Sequence, residues 1–259
     1  PWWPARGTGT LIARSVMARA PYVELRCRSA FSFLDGASLP EDLVTRAAEL
    51  GYDALALGDR GGVCGAPRFF RTARKAALQP IVGTEVPLDA PSTPPVLLLV
   101  EDRRGYRNLC RLVTRLKAGR PKGDLTAAVS HELLEEHAEG LLALAGPEPR
   151  PDLPRLQQIF GRDRLFVELQ RHFDDEQAHH NLVAAAQAEA LGVPLVATND
   201  VRYATGERRR VYDVQVCALH KATVDEIGRR LPRNAERFLK SPHEMAALFR
   251  DQPEAVAHT

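Results

Sequence analysis

The chain has 259 residues, 44% of them hydrophobic and 26% charged. These are ordinary values for a globular protein, which excludes wholesale disorder and a collagen-like composition. No run approaches the roughly 18 unbroken apolar residues of a membrane-spanning helix, and a net charge of +2 gives no general signal for a polyanion partner. The basic residues are five Lys against 30 Arg, a bias that, with the many alanines, reads as a GC-rich genome.

The opening PWWPARGTGTLIARSV carries Arg6 and Arg14, little apolar continuity and no cleavage site, so it does not read as a signal peptide. Met17 reads as a natural start, and residues 1–21 are expected to be a disordered extension. From residue 22 onward, strand-like runs alternate with helical patterns. Strands are expected at 23–27, 54–57, 80–86, 95–101, 140–145, 164–170 and 194–199. Helices are expected at 40–50, 67–77, 104–117, 131–137, 153–160 and 175–191. Ser38 with Glu41 three residues on has the form of a capping box before the first helix, and Gly51 ends it. Residues 87–95 and 147–154 are Pro-rich loops.

About seven strand-then-helix units argue for an α/β protein with a mostly parallel sheet, and that number suits a closed barrel better than an open sheet. No GxGxxG follows the first strand, which counts against a dinucleotide fold. Beyond Asp200 the pattern turns helical, at 207–218 and 223–231. Ser241-Pro242-His243-Glu244 is a second capping box, opening a helix through Phe249. The last residues stop inside a helical pattern, so a longer parent chain is expected. Cys27, Cys64, Cys110 and Cys217 form no CxxC pair, no disulfide framework and no zinc ribbon, which points to a reducing, cytoplasmic compartment.

Polar residues gather where the expected strands end. Arg26 and Arg28 alternate across one residue, so both point to the same face. The second strand ends at Asp59-Arg60, the third carries Glu85, the sixth ends at Glu168-Leu169-Gln170-Arg171-His172, and the seventh at Asn199-Asp200-Val201-Arg202. In parallel α/β barrels the C-terminal strand ends are where function sits.

Several segments carry a resemblance. They are residues 28–38 (RSAFSFLDGAS), 54–59, 80–85 (PIVGTE), 105–109 (GYRNL), 168–172 (ELQRH), 197–204 (ATNDVRYA) and 234–242 (NAERFLKSP). In this order the chain resembles the N-terminal PHP (polymerase and histidinol phosphatase) domain of bacterial C-family DNA polymerases, the DNA polymerase III alpha subunit family, and above all its error-prone paralogue. The resemblance implies a distorted (β/α)7 PHP-type barrel over residues 22–204. A helical connector over 205–259 would lead toward a polymerase body beyond Thr259. It implies a DNA-directed DNA polymerase as the parent, acting in damage-tolerant synthesis with Mg2+. DNA would be met through the full-length enzyme, and other replication or mutagenesis proteins would be partners.

The departures from the family pattern matter most. Metal-binding members begin with His-x-His, where this chain has Arg26 and Arg28. They carry Asp-His after the second strand and Asp-x-His near the last, where this chain has Asp59-Arg60 and Asp200-Val201-Arg202. The matching ligand positions that remain are Asp35, Glu85, His172 and Asp200. A guanidinium has five donors and no acceptor, so it cannot ligate a cation. At ~5 Å and an effective dielectric of ~20, one fixed positive charge opposes a divalent ion by ~6–7 kcal/mol. The sequence therefore predicts a degenerate site, metal-free and without phosphoesterase or exonuclease activity. Its arginines should pair with Asp35, Glu85 and Asp200 as bidentate forks.

Two other readings stay open: a metal-dependent phosphoesterase or 3′–5′ exonuclease on the same barrel, and a non-catalytic nucleic-acid module using Arg26 and Arg28. His172 is expected as a hydrogen-bonded relic, and His179-His180 as surface residues. His131 and His137, six apart, do not share a helical face. Tyr22, Phe31 and Phe33 are expected in the core, and Arg208-Arg209-Arg210 on a solvated helix face. No serine-nucleophile elbow, P-loop, Cys–His pairing or Asp-x-Asp motif is present.

Overall fold

A computed structural model describes residues 22–90, 92–121 and 127–259. The extension expected over residues 1–21, and Met17 with it, lies outside the described residues. Helix α1 (Pro40–Leu50) opens with Pro40, buries Leu43, Val44 and Ala47, and ends at Gly51 in the left-handed region (φ 80°). It is followed by β1 (Ala54–Arg60), α2 (Ala66–Lys75), β2 (Gln79–Val86), β3 (Val96–Val100), α3 (Arg103–Lys117) and α4 (His131–Glu136). Then come β4 (Leu141–Ala145), α5 (Leu153–Phe160), β5 (Leu165–Leu169), α6 (Asp175–Leu191), β6 (Leu195–Ala197), α7 (Arg209–His220), α8 (Pro242–Leu248) and α9 (Pro253–Ala257).

The strands form one six-stranded sheet in sequence order, β1 to β6. β1 and β2 are parallel, as are β4, β5 and β6, but β3 runs antiparallel to both of its neighbours. The sheet is thus mostly parallel, as expected, with β3 alone reversed. A parallel crossover needs a connecting element of a dozen or more residues. The Pro-rich loop between β2 and β3 has no helix among its described residues, so the chain turns straight back.

The expected first strand, residues 23–27, is an extended segment with a single regular bridge, Cys27 to Val201. It nonetheless performs the closing role. The Ala56 and Gly58 N–H groups of β1 donate to the carbonyls of Glu24 and Cys27 at 3.0 and 2.8 Å. On its other edge Arg28 N–H donates to the Val201 carbonyl at 2.9 Å, and Val201 N–H to Arg26 at 2.8 Å. Both free edges of the curled sheet are thus satisfied by one segment, as a distorted PHP-type barrel requires.

Inside the curl, Ala56, Leu97, Leu99, Leu144 and Val196 form a small apolar cluster, with Ile81 and Phe166 packed against it. Gly58 makes room for it: a Cβ there would meet the Leu97 side chain at 2.4 Å. An even step along a strand keeps a side chain on the same face. Two residues beyond Phe166 comes Glu168, two beyond Val196 comes Thr198, and four beyond Ile81 comes Glu85. The barrel floor is therefore apolar and its mouth charged. Outside, Leu98, Ala143, Leu165 and Val167 pack under α3, α5 and α6.

Three local expectations change. Ser38 is not the cap of α1. Leu39 occupies that position, and its N–H donates to Asp42 at 3.2 Å. The Ser38 hydroxyl is drawn inward instead, where it accepts the Ala204 N–H at 2.9 Å. The helix expected at 223–231 reduces to one short 3-10 turn, Gly228–Arg230, after Gly228 takes a positive φ of 57°. Phe33 is 84% exposed and Phe31 37%, and only Tyr22 of the three expected core aromatics is buried. The capping box at Ser241 is present: its hydroxyl accepts Glu244 N–H at 3.2 Å, and Glu244 accepts Ser241 N–H at 2.7 Å.

Residues 205–259 lie on the barrel. Met245, Phe249, Ala255 and Val256 share a core with Leu43, Val44 and Leu55. The Tyr52 hydroxyl donates to the Lys240 carbonyl at 2.7 Å. The inward role of Ser38 leads to a first prediction. Ser38→Ala leaves the buried Ala204 N–H unpaired and costs about 1–3 kcal/mol in denaturant unfolding. Glu41→Gln, which would break a capping box at Ser38, costs less than about 1 kcal/mol through its partly exposed pair with Arg68.

Candidate functional site: a guanidinium–carboxylate cluster in the barrel mouth

The charged residues of the mouth come from the closing segment and from the ends of β2, β5 and β6. Arg26 Nε donates to both Glu168 oxygens, at 2.8 and 2.9 Å, while its Nη2 lies 2.6 Å from Glu168 Oε2. Its Nη1 reaches Glu85. Arg28 also reaches Glu85 and donates to Asp35 at 3.0 Å, with Asp200 3.7 Å away. Arg202 donates to Asp200 from Nη2 at 2.8 Å and from Nε at 3.2 Å, and reaches Asp35 from Nη1. Arg237 reaches Asp200 from the far side. Four guanidinium groups thus face four carboxylates, Asp35, Glu85, Glu168 and Asp200. They form one linked network rather than the separate forks expected from the sequence, because Glu85 is shared by two arginines and Arg26, Arg28 and Arg202 each bridge two acids.

Burial alone would push the Glu85 carboxyl up, but Arg28 and Arg26 outweigh it and hold its pKa at about 2. Burial works against the Arg26 cation, and Glu168 and Glu85 more than compensate, raising its pKa. Arg202 is the least favoured of the four: burial, then the Arg28 cation beside it, lowers its pKa. Asp200 sits at φ 43°, a left-handed conformation uncommon for a side chain other than glycine. That turn lets its carboxylate meet Arg202 and Arg237 while the next residue, Val201, stays paired with the closing segment.

His172 lies beside the network rather than in it. Its Nε2 is 2.9 Å from the Asn199 carbonyl, and the Gln177 amide donates to its Nδ1 at 2.8 Å. That pair of bonds sets the proton on Nε2. Burial first, then Arg237, lowers the His172 pKa to about 4, so the ring is neutral near pH 7.

Arg60 departs from expectation. It lines the rim, exposed, and makes no ion pair among the described residues. The acid preceding it, Asp59, is already satisfied by Ser29 N–H at 2.8 Å and by the hydroxyls of Ser29 and Ser32 at 2.9 and 2.7 Å. Arg60 at the end of β1 is left facing solvent.

Three further charged residues belong here that sequence spacing did not single out as site residues: Glu168, Arg237 and Glu24. Glu168 was detectable in principle, being on the same face of its strand as Phe166. Arg237 was not, since 37 residues separate it from Asp200. Glu24 accepts from the Tyr22 hydroxyl at 2.7 Å and from the N–H groups of Arg26 and Asn199 at 2.9 and 3.0 Å. Burial nevertheless raises its pKa to about 8, leaving it largely protonated near neutrality.

Residues 24–172 match the PHP domain family. The chain belongs to this family. It is 44% identical over 252 residues to an error-prone DNA polymerase of Anaeromyxobacter dehalogenans and 40% identical over 254 residues to one of Rhodopirellula baltica. These matches cover 93% and 92% of this chain but 22% of each relative, so the chain spans about a fifth of their length. The structure of an amidohydrolase from Chromobacterium violaceum shares the fold, with a TM-score of 0.50 and 16% identity over 70% of this chain and 87% of that one.

A PHP barrel raises the question of a metal centre, and these residues do not fit one. Divalent cations need deprotonated carboxylates or neutral imidazoles with a lone pair to give. Here the four carboxylates of the network already meet four fixed cations. Of the two imidazoles nearby, His172 has Nδ1 engaged by Gln177 and Nε2 by Asn199, and His180 lines the cavity of the mouth. The mouth opens into a cavity of about 440 Å3 lined by five arginines and six carboxylates. That balance leaves no field to collect an anion either. Chemically, the arrangement holds the shape of the mouth, since each of the four clustered carboxylates is engaged by a guanidinium.

Breaking one buried partner leaves an uncompensated charge, so Glu168→Gln should destabilise the domain by about 3–5 kcal/mol. Arg60→Ala should stay within about 0.5 kcal/mol, and chemical denaturation of both variants checks the contrast. The pH dependence has two signs. Glu85 and His172 have lowered folded pKa values, so their stabilisation is complete above the unfolded values of about 4.5 and 6.5. It is lost as pH falls through about 2 and 4, respectively. Glu24 has a raised value, so it withdraws stability as pH rises from 4.5 through about 8. Glu24→Gln should therefore raise the Tm at pH 8 relative to wild type, with the gain vanishing toward pH 4.5.

Proposed function

We propose that this chain is the N-terminal PHP domain of an error-prone DNA polymerase acting in damage-tolerant DNA synthesis in the cytoplasm. The domain itself is metal-free and catalytically inert, and it braces and docks the polymerase body. The observation that carries the inert reading is the linked network of four guanidinium and four carboxylate groups where a catalytic PHP barrel needs lone pairs. A charge-balanced cluster preserves the shape of the mouth without requiring an ion. The parent activity rests on the polymerase relatives. Nucleotide addition with Mg2+ is assigned to the part of the parent that is not in these 259 residues. DNA is met through the full enzyme, and other replication or mutagenesis proteins dock alongside.

Exposed apolar side chains support the docking role. Val211, Val214 and Leu219 on α7 are 43%, 60% and 45% exposed, and Phe33 stands out from its loop at 84%. Val211 and Val214, three residues apart on α7, form a small exposed apolar pair of the kind that contacts bury.

The rival is a metal-dependent phosphoesterase or 3′–5′ exonuclease using Asp35, Glu85, His172 and Asp200. Elemental analysis of untagged protein and turnover of p-nitrophenyl phosphate and a 3′-mismatched primer with Mn2+ separate the two. The proposal expects substoichiometric zinc and manganese and no turnover above buffer. Stoichiometric metal, with Mn2+-dependent hydrolysis that Asp200→Ala abolishes, establishes the rival instead.

A further inference from the structure

The strongest unassigned feature lies outside the barrel, along α3. At 100° per residue, Arg104, Arg107, Arg111 and Arg115 fall within an arc of about 80°. The buried Leu109, Leu112 and Leu116 lie on a different face of the helix. Arg104 is paired with Glu139. Arg107, Arg111, Arg115 and Lys117 are all exposed and make no ion pair among the described residues. The helix ends at the barrel mouth: a Cβ on Gly62, just past β1, would lie 3.3 Å from Lys117 Nζ. Arg107, Arg111 and Arg115 therefore form a track along the outer wall, and Lys117, about 160° round the helix from Arg115, lies off it.

Beside the arginines the surface is hollowed into a groove. Tyr106, Cys110 and Thr114 share its lining with Arg107, Arg111 and Arg115. Tyr106 is 43% exposed. The groove also contains His137, itself buried and hydrogen-bonded to the Leu133 carbonyl. Its one carboxylate is Glu136, from the end of α4. An aromatic ring set in a line of unpaired guanidinium groups is the pattern of a single-stranded nucleic-acid groove, where cations follow the backbone and a ring stacks a base.

We propose that the α3 groove binds single-stranded DNA through Arg107, Arg111 and Arg115, with Tyr106 as a stacking platform. The spacing suits the ligand. Arg107, Arg111 and Arg115 recur about every 6 Å along the helix, so three cations on one line can follow the phosphates of one extended strand. The site is separate from the mouth, where Arg26 and Arg28 are buried and paired. It therefore stands whether or not the barrel is inert.

The test is fluorescence anisotropy of the 259-residue chain with a labelled 20-nucleotide oligo-dT, between 50 and 200 mM KCl. The variant Arg107→Ala/Arg111→Ala/Arg115→Ala is compared with Arg74→Ala/Arg229→Ala/Arg230→Ala, which removes the same charge elsewhere on the exposed surface. Matching thermal melts establish that both are folded. The proposal expects the α3 variant to bind at least tenfold more weakly than the control variant. Its log Kd against log salt slope should shrink by about 2, at about 0.7 per lost phosphate contact. Tyr106→Ala should weaken binding about fivefold or more. Glu136→Gln should tighten binding severalfold at 50 mM KCl, an effect that a merely structural role for the helix would not produce. Equal losses in the two triple variants overturn the proposal. So does duplex bound as tightly as single strand, or polyglutamate displacing the oligonucleotide as well as unlabelled oligo-dT at equal charge.

Discussion

A guanidinium and a carboxylate that leave water together lose hydration worth several kcal/mol each, and recover it only where every donor finds an acceptor. The mouth of this barrel comes close to that condition: each of its four carboxylates meets at least one guanidinium, although Arg28 Nε and Asp200 Oδ1 are buried without a hydrogen bond. Its position explains why. The cluster ties the closing segment (Arg26, Arg28) to β2 (Glu85), β5 (Glu168) and the chain beyond β6 (Asp200, Arg202). Those are the elements that have to meet for a curled sheet to close. The regular ladder covers six strands, and the seventh position is held by four backbone hydrogen bonds and the Arg network. Closure in this protein depends on charge pairing as much as on strand pairing.

The same geometry sets the chemistry. Below the cluster, the concave face is filled by Leu97, Leu99, Leu144 and Val196, so the charged layer rests on a dry floor. That floor lowers the local dielectric and strengthens each pair, and it makes any missing partner costly. A divalent ion entering the mouth would compete with guanidinium groups already bonded to the carboxylates it needs. Shape complementarity and charge balance therefore favour persistence of the fold over reactivity, consistent with the proposed bracing role beside a polymerase body.

Much of this was legible in the residues, where local rules apply. The alternation of Arg26 and Arg28 placed both on one face, the helices α1 and α3 followed from apolar spacing, and Ser241 with Glu244 marked the start of α8. Strand direction was not legible, since Val96–Val100 reads as an apolar run whichever way it points. Only the helix-free Pro-rich loop before it indicated a reversal. Ser38 satisfied a capping pattern, yet the buried Ala204 N–H some 166 residues away claimed its hydroxyl. Arg60 matched the family register but lost its local acid to Ser29 and Ser32. Arg237 could be found only by folding the chain. The misses share one cause: a tertiary partner outcompeted a local one.

The central claim is that fixed cations fill the place of a metal centre. Isothermal titration of Mn2+ into metal-stripped protein at pH 7.5 tests it most directly. The account predicts heats indistinguishable from dilution up to millimolar Mn2+. A saturable isotherm with near-integral stoichiometry, abolished when Asp35, Glu85 and Asp200 are replaced by their amides, would contradict it.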